Sequence, residues 1–169
     1  MTFDAYLDIE TTGLTWPNAE ITVIGIYLVN GRDRRFAQLV GRDVTRRNLL
    51  DELRGVGHII TYNGSRFDLP FINQALGANL VTMFVHRDLM YDCWSCRLYG
   101  GFKAVEQHLG VARRTHGVDG LEAVRLWYRY RDSGDIEALD RLLLYNKEDV
   151  INLKHVRDKL DLRMQRQAY

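Results

Sequence analysis

Hydrophobic and polar positions divide the chain into two regimes. Residues 3–9, 21–29 and 35–40 are short runs rich in β-branched and aromatic side chains, separated by Gly, Thr, Pro and Asn, and such runs predict strands. Asn30-Gly31 between the second and third runs is a hairpin signal, so these two strands are expected to pair antiparallel. A short helix is predicted over 46–54, with Thr45 as N-cap and Leu49, Leu50 and Leu53 at helical spacing. A strand over 58–62 follows. Asp68-Leu69-Pro70 then places an acid as a candidate N-cap and a proline in the first turn of a helix running toward Gly77. Residues 84–89 supply a fifth strand. From Tyr91 onward apolar residues recur every three or four positions, which predicts helices over 102–109, 120–130 and 136–162. In the last of these, Leu139, Leu142, Leu143, Val150, Leu153 and Val156 form the apolar stripe. The order β-β-β-α-β-α-β followed by helices argues an α/β fold on a mixed five-stranded sheet, its first three strands antiparallel.

Composition narrows the class. At 169 residues and 46% hydrophobic, with two prolines, the chain suits one domain over 1–169 and is too rich in apolar residues for disorder. Its longest apolar run, 21–29, is about half the length of a membrane span, so no membrane partner is expected. The N-terminus lacks the basic start and apolar core of a secretory signal, and two cysteines make no stapled scaffold. A reducing, cytoplasmic setting is the expectation. The formal charge of +1 does not announce a nucleic-acid binder, so such a reading must come from local sites. No Gly-x-Gly-x-x-Gly or Walker-type loop is present, which argues against nicotinamide, flavin and nucleotide-triphosphatase readings. Cys93 and Cys96 lack histidines at finger spacing, which argues against zinc or redox work.

Candidate chemistry lies in the carboxylates. Asp8 and Glu10 end the first predicted strand two residues apart, so the period of two directs both to one face, opposite Leu7 and Ile9. Two acids on an otherwise apolar strand invite either solvent or a cation. Asp68 follows the fourth strand in Asn63-Gly64-Ser65-Arg66-Phe67-Asp68, and Asp149 follows Tyr145 by four residues, on the same face of the last helix. With each fixed residue at roughly one in twenty, the pattern Asn-x3-Phe-Asp arises by chance in only about 2% of chains this long.

In Asp8-Ile9-Glu10, in Asn63 to Asp68 and in Tyr145 to Asp149 the sequence resembles the three motifs of the DEDD exonucleases of the ribonuclease-H-like superfamily. Tyr145, with Leu144 where the histidine branch would need its histidine, fits the tyrosine branch, DEDDy. Leu7 to Leu14, Tyr62 to Gly64, Phe67 to Phe71, Phe102 to Glu106, Leu126-Trp127 and Tyr145 to Leu153 extend the resemblance to the YprB-type stand-alone exonuclease domains. It implies a ribonuclease-H-like fold and a 3′-5′ exonuclease, a hydrolase of phosphodiester bonds at the 3′ end of single-stranded nucleic acid, with DNA favoured over RNA. It implies two divalent cations, Mg²⁺ or Mn²⁺, held by Asp8, Glu10, Asp68 and Asp149, with Tyr145 directing the attacking water, and substrate contacts from Thr11, Thr12, Gly13, Asn63 and Phe67. A polymerase or helicase partner is not specified by it. Two alternatives keep the same fold: a nucleic-acid-binding module without catalysis, and an endonuclease. Arg32, Arg34, Arg35, Arg42, Arg46 and Arg47 form a candidate phosphate-binding patch, if they lie near the acids.

Overall fold

The structure is a computed structural model and describes residues 2–167. Its strands are β1 (Phe3–Thr11), β2 (Ile21–Asn30), β3 (Asp33–Val40), β4 (Val56–Thr61) and β5 (Val85–Asp88). The helices are α1 (Arg46–Glu52), α2 (Asp68–Leu76), α3 (Leu80–Met83), α4 (Leu89–Ser95), α5 (Phe102–His108), α6 (Gly120–Ser133) and α7 (Ile136–Gln167). The strands form one mixed sheet in the order β3-β2-β1-β4-β5. The first three are antiparallel, while β4 and β5 run parallel to β1. This is the sheet expected from the hydrophobic pattern.

Local chemistry accounts for most boundaries. Asn30 and Asp33 close the β2–β3 hairpin around Gly31, whose φ of 58° suits the first central position of a tight hairpin turn. Thr45 caps α1 by accepting from the Asn48 N–H at 3.1 Å. The left-handed Gly77 and Gly134 stop α2 and α6. Three elements were not expected: a 3-10 turn at Gly41–Asp43, and the short helices α3 and α4, all too brief for a periodicity to register. Helix α7 runs five residues past the predicted end, through two arginines and two glutamines with one apolar contact, Met164.

The sheet buries apolar side chains on both faces. Ala5, Leu7 and Ile9 of β1 pack with Leu49, Leu69 and Ile72 from α1 and α2. On the other face Tyr6 meets Leu89 and Cys93 of α4, Val105 of α5, and Val150, Leu153 and Val156 of α7. A third cluster joins α6 to α7 through Leu126, Trp127, Leu142 and Tyr145. Cys93 and Cys96 are free thiols inside the second core, and burial pushes the Cys93 thiol up to about 12, which suits packing rather than redox work. No described helix is long and apolar enough to cross a membrane.

A cleft of converging carboxylates

Strand β1 is central, with an antiparallel neighbour on one side and a parallel one on the other. Parallel pairing brings the carboxyl ends of β1, β4 and β5 to one end of the sheet, where open α/β sheets present their ligand sites. Asp8 and Glu10 continue the face of β1 that Tyr6 occupies, opposite Leu7 and Ile9. A register shift between Glu10 and Thr11 ends the regular pairing there.

Helix α7 crosses this face and brings Asp149 to the pair. One oxygen from each of Asp8, Glu10 and Asp149 lies within 4.8 Å of the others. Asp68 comes from the opposite side, off the start of α2. It was expected to cap that helix, but Phe67 holds the cap position without a side-chain bond, and Asp68 is the first helical residue. Its carboxylate instead accepts the backbone N–H of Ile9 at 3.1 Å, a tie from motif to motif that fixes β1 against α2. The cleft between these elements has a volume of about 280 Å³. Every predicted site residue lines it except Thr12: Asp8, Glu10, Thr11, Gly13, Asn63, Phe67, Asp68, Tyr145 and Asp149.

Thr12 has a different task. Its hydroxyl accepts the Glu20 N–H at 3.0 Å and its N–H donates to the Glu20 carbonyl, which pins the 12–20 loop. Thr11 donates to the Gly13 carbonyl at 2.6 Å. Asn63 adopts φ 61° and its carbonyl accepts from Arg66 and Phe67. Phe67 meets Phe71 in a tilted ring contact at 5.7 Å, at the margin of the first core. Both thus shape the turn and still face the cleft.

Burial and mutual repulsion dominate the electrostatics. Desolvation raises Asp8 and Glu10 well above the ordinary carboxylate range, and Asp149 adds to both shifts. Burial lifts Asp68 to about 7, against the opposing pull of the Ile9 N–H. Asp149 rises to about 6 by burial, held down by the Arg113 guanidinium. Tyr145 is pushed well above its usual value by burial and by Asp149, Glu10 and Asp8, so its hydroxyl stays protonated. Three acids, Glu10 and Asp149 buried and Asp8 partly so, that offer oxygens at one point are a fitting donor set for a hard divalent cation, which favours carboxylate oxygen and relieves the repulsion.

Several residues here were not singled out from sequence. Asn146 donates to the Asp8 carboxylate at 3.2 Å and to Glu10 at 3.5 Å, bracing the pair. Its position three residues before Asp149 on the same helix was the available signal. Arg113 donates to Asp149 and makes a two-pronged pair with buried Glu106, at 2.8 and 2.9 Å. Nothing in its local sequence points to this, since its partners lie on α5 and α7. Lys103 donates to the Val118 carbonyl and sits 4.8 Å from the centre of the Tyr145 ring, in an adjoining cavity that also reaches Asp8 and Asp149. Asp88 accepts from the Asn63 N–H at 2.7 Å and the Ser65 N–H at 3.0 Å, holding the second-motif loop.

The arginines of 32–47 do not line the cleft. Those on β3 stand at the sheet edge, separated from β1 by β2, with Arg35 packed over Phe3 at 5.0 Å. Lys147 likewise turns outward, its ammonium 5.0 Å from the centre of the Phe36 ring. In the 127–131 run Trp127 is buried while Arg129 and Arg131 are exposed, so this is a packed helix face rather than a stacking platform.

Comparison with known proteins agrees with this architecture. A family model for the RNase_H superfamily matches residues 5–161. Among solved structures, one described as the apo form of the nuclease superposes with a TM-score of 0.63 at 20% identity, covering 99% of this chain and 74% of that one. No curated protein matches the sequence.

Proposed function

Because the chain belongs to the RNase_H superfamily, we propose that it is a metal-dependent 3′-5′ exonuclease of the DEDDy type, similar to the YprB-type domains, acting on single-stranded nucleic acid, with DNA favoured over RNA. The observation that carries this reading is the meeting of Asp8, Glu10 and Asp149, from a strand and a distant helix, within 4.8 Å in a cleft that also admits Asp68 and Tyr145. Asp8, Glu10 and Asp149, with Asp68 beside them, would hold two divalent ions, Mg²⁺ or Mn²⁺, which when bound acidify water and offset charge on the attacking and leaving oxygens.

The chain's own groups do the positioning. The protonated Tyr145 hydroxyl serves as a hydrogen-bond donor that, with Glu10, orients the attacking water; its raised pKa unfits it as a base. The Lys103 ammonium places positive charge beside that ring, where the phosphate has to lie. Asn63, Phe67, Thr11 and Gly13 form the wall for the terminal sugar and base.

The test uses 5′-labelled single-stranded DNA and RNA oligonucleotides, with Mg²⁺, Mn²⁺ or chelator. A ladder shortening from the 3′ side and lost with chelator is expected. Cutting of circular single strands would replace this reading with an endonuclease, and tight binding without turnover would replace it with a binding module.

A further inference from the structure

Helix α4 presents two faces of opposite construction. Leu89, Met90 and Cys93 are buried in the core, so packing is satisfied without its outer face. Yet that outer face carries Tyr91 and Trp94, 44% and 36% exposed and three residues apart, their rings edge to face at 5.4 Å. The exposed Arg66 guanidinium lies over the Trp94 ring at 5.5 Å. Asp92, the sole acid between 91 and 99, is occupied by Arg87 at 2.7 Å. Arg66 is therefore the charge that the aromatic pair meets, and exposed Arg97 follows the end of the helix. Large exposed aromatics beside an arginine are costly ornaments on a soluble surface and point to a ligand with flat faces and negative charge.

Position identifies that ligand. One carboxylate fixes both the platform and the cleft wall: Asp88 caps α4 through the Met90 N–H at 3.1 Å and accepts from Asn63 and Ser65 in the loop that lines the cleft. Arg66 stands in that loop between Ser65 and the cleft-lining Phe67, and its side chain reaches over Trp94, so one residue links the second-motif loop to the platform. We propose that Tyr91, Trp94 and Arg66 form a stacking platform for the nucleotides upstream of the reacting end of a single strand. The inference rests on the proposed function and extends it: the cleft holds the terminal nucleotide, and the platform holds the strand behind it. Stacking of this kind accepts any base, so it supplies affinity without sequence preference.

The experiment compares Trp94→Ala and Arg66→Ala with the parent protein on two substrates, a single-stranded 20-mer and the mononucleotide ester thymidine 5′-(p-nitrophenyl phosphate). The ester has no upstream nucleotides to stack. KM for the 20-mer is expected to rise about tenfold while turnover of the ester is unchanged. Unchanged KM in both variants, with an active parent, overturns the platform and leaves the exonuclease reading standing. In parallel, fluorescence anisotropy of a labelled 20-mer is measured in chelator, where no cleavage occurs. Binding weakened about tenfold by Trp94→Ala supports the platform even if the parent proves inactive, in which case the catalytic reading fails alone. Absence of binding by the parent, or equal binding by parent and variants, overturns the platform. So does a variant that binds normally but loses a dimer in size-exclusion chromatography, which would make this face a contact between copies.

Discussion

Each acid in the cleft is only as useful as the residue that holds it. Asp8 stands at the centre, its carboxylate beside Glu10 and Asp149 and braced by Asn146. Asp8→Asn removes a charged ligand from a shared point, and activity is expected to fall below detection. Tyr145→Phe keeps the ring between Lys103 and Arg113 and loses only the orienting hydroxyl, so about a hundredfold slower turnover is expected. Equal rates for Asp8→Asn and the parent in a gel assay would reject the site. Arg113 presents a different case, because its role is structural as well as local. Its side chain is 12% exposed and that of Glu106 2%, and removing one member of such a pair strands the other charge. Arg113→Met is therefore expected to destabilise the fold by about 3 kcal/mol, measured by urea denaturation. A stability change near zero would mean that Asn152, which donates to Glu106 at 2.7 Å, suffices to hold the carboxylate.

At the scale of elements, the site depends on how closely α7 approaches the sheet. Gly25 of β2 lies opposite Asp8 in the register, and a Cβ at that position would come within 2.2 Å of the Asn146 Oδ1 and 2.9 Å of its Cγ. Asn146 is fully buried and also accepts from Gln38 on β3 at 3.0 Å, so it has little room to retreat. Gly25→Ala is thus expected to push Asn146 off the acid pair and to weaken Mn²⁺ binding about tenfold or more, as measured by calorimetry. Asn146→Ala should do the same without moving α7, and a Gly25→Ala protein with parental Mn²⁺ affinity would contradict the bracing role. This contact also marks what the sequence made legible. Asp8, Glu10, Tyr145 and Asp149 announce themselves because strand and helix periods fix their faces locally. The glycine within the apolar run of β2 carries no sign of what it admits, since the partner is over a hundred residues away. Arg113 and Asp88 were illegible for the same reason: each acts across elements, where meaning comes from the sheet order rather than from spacing. Asp68 lines the cleft with the other acids but does not cap α2 as its local pattern suggested, because that pattern cannot foresee a competing N–H from β1.

The whole molecule carries the electrical consequence of gathering these acids. In the unfolded chain the four carboxyls titrate near pH 4, whereas folding raises all of them, Asp149 to about 6 and Asp68 to about 7. The folded state therefore binds more protons than the unfolded state, and stability falls as pH rises through the folded values. Other groups act in other windows. Glu148, lowered by its bonds to Thr115 and Arg114 despite partial burial, favours the folded state above the carboxylate range and matters only in acid. Burial lowers His86, so its contribution grows with pH and is complete above its unfolded value near 6.5. Between pH 6.5 and 8.5 the cleft acids, titrating as a coupled set, set the slope, joined toward the upper end by Cys93, whose buried thiol is raised above an unfolded value of about 8.5 and adds a fall of the same sign. The metal-free protein is expected to lose about 5 °C or more of Tm across that interval. Divalent ions need the ionised carboxylates, so their binding displaces protons and strengthens as pH rises. Millimolar Mg²⁺ or Mn²⁺ at pH 8.5 is accordingly expected to restore the lost Tm, with a much smaller effect at pH 5, where the acids are largely protonated. Scanning calorimetry across pH, with and without metal, measures both halves of the linkage. A Tm indifferent to pH and to metal over this range would mean that the four acids do not share a common field, and the cation site would fall with it.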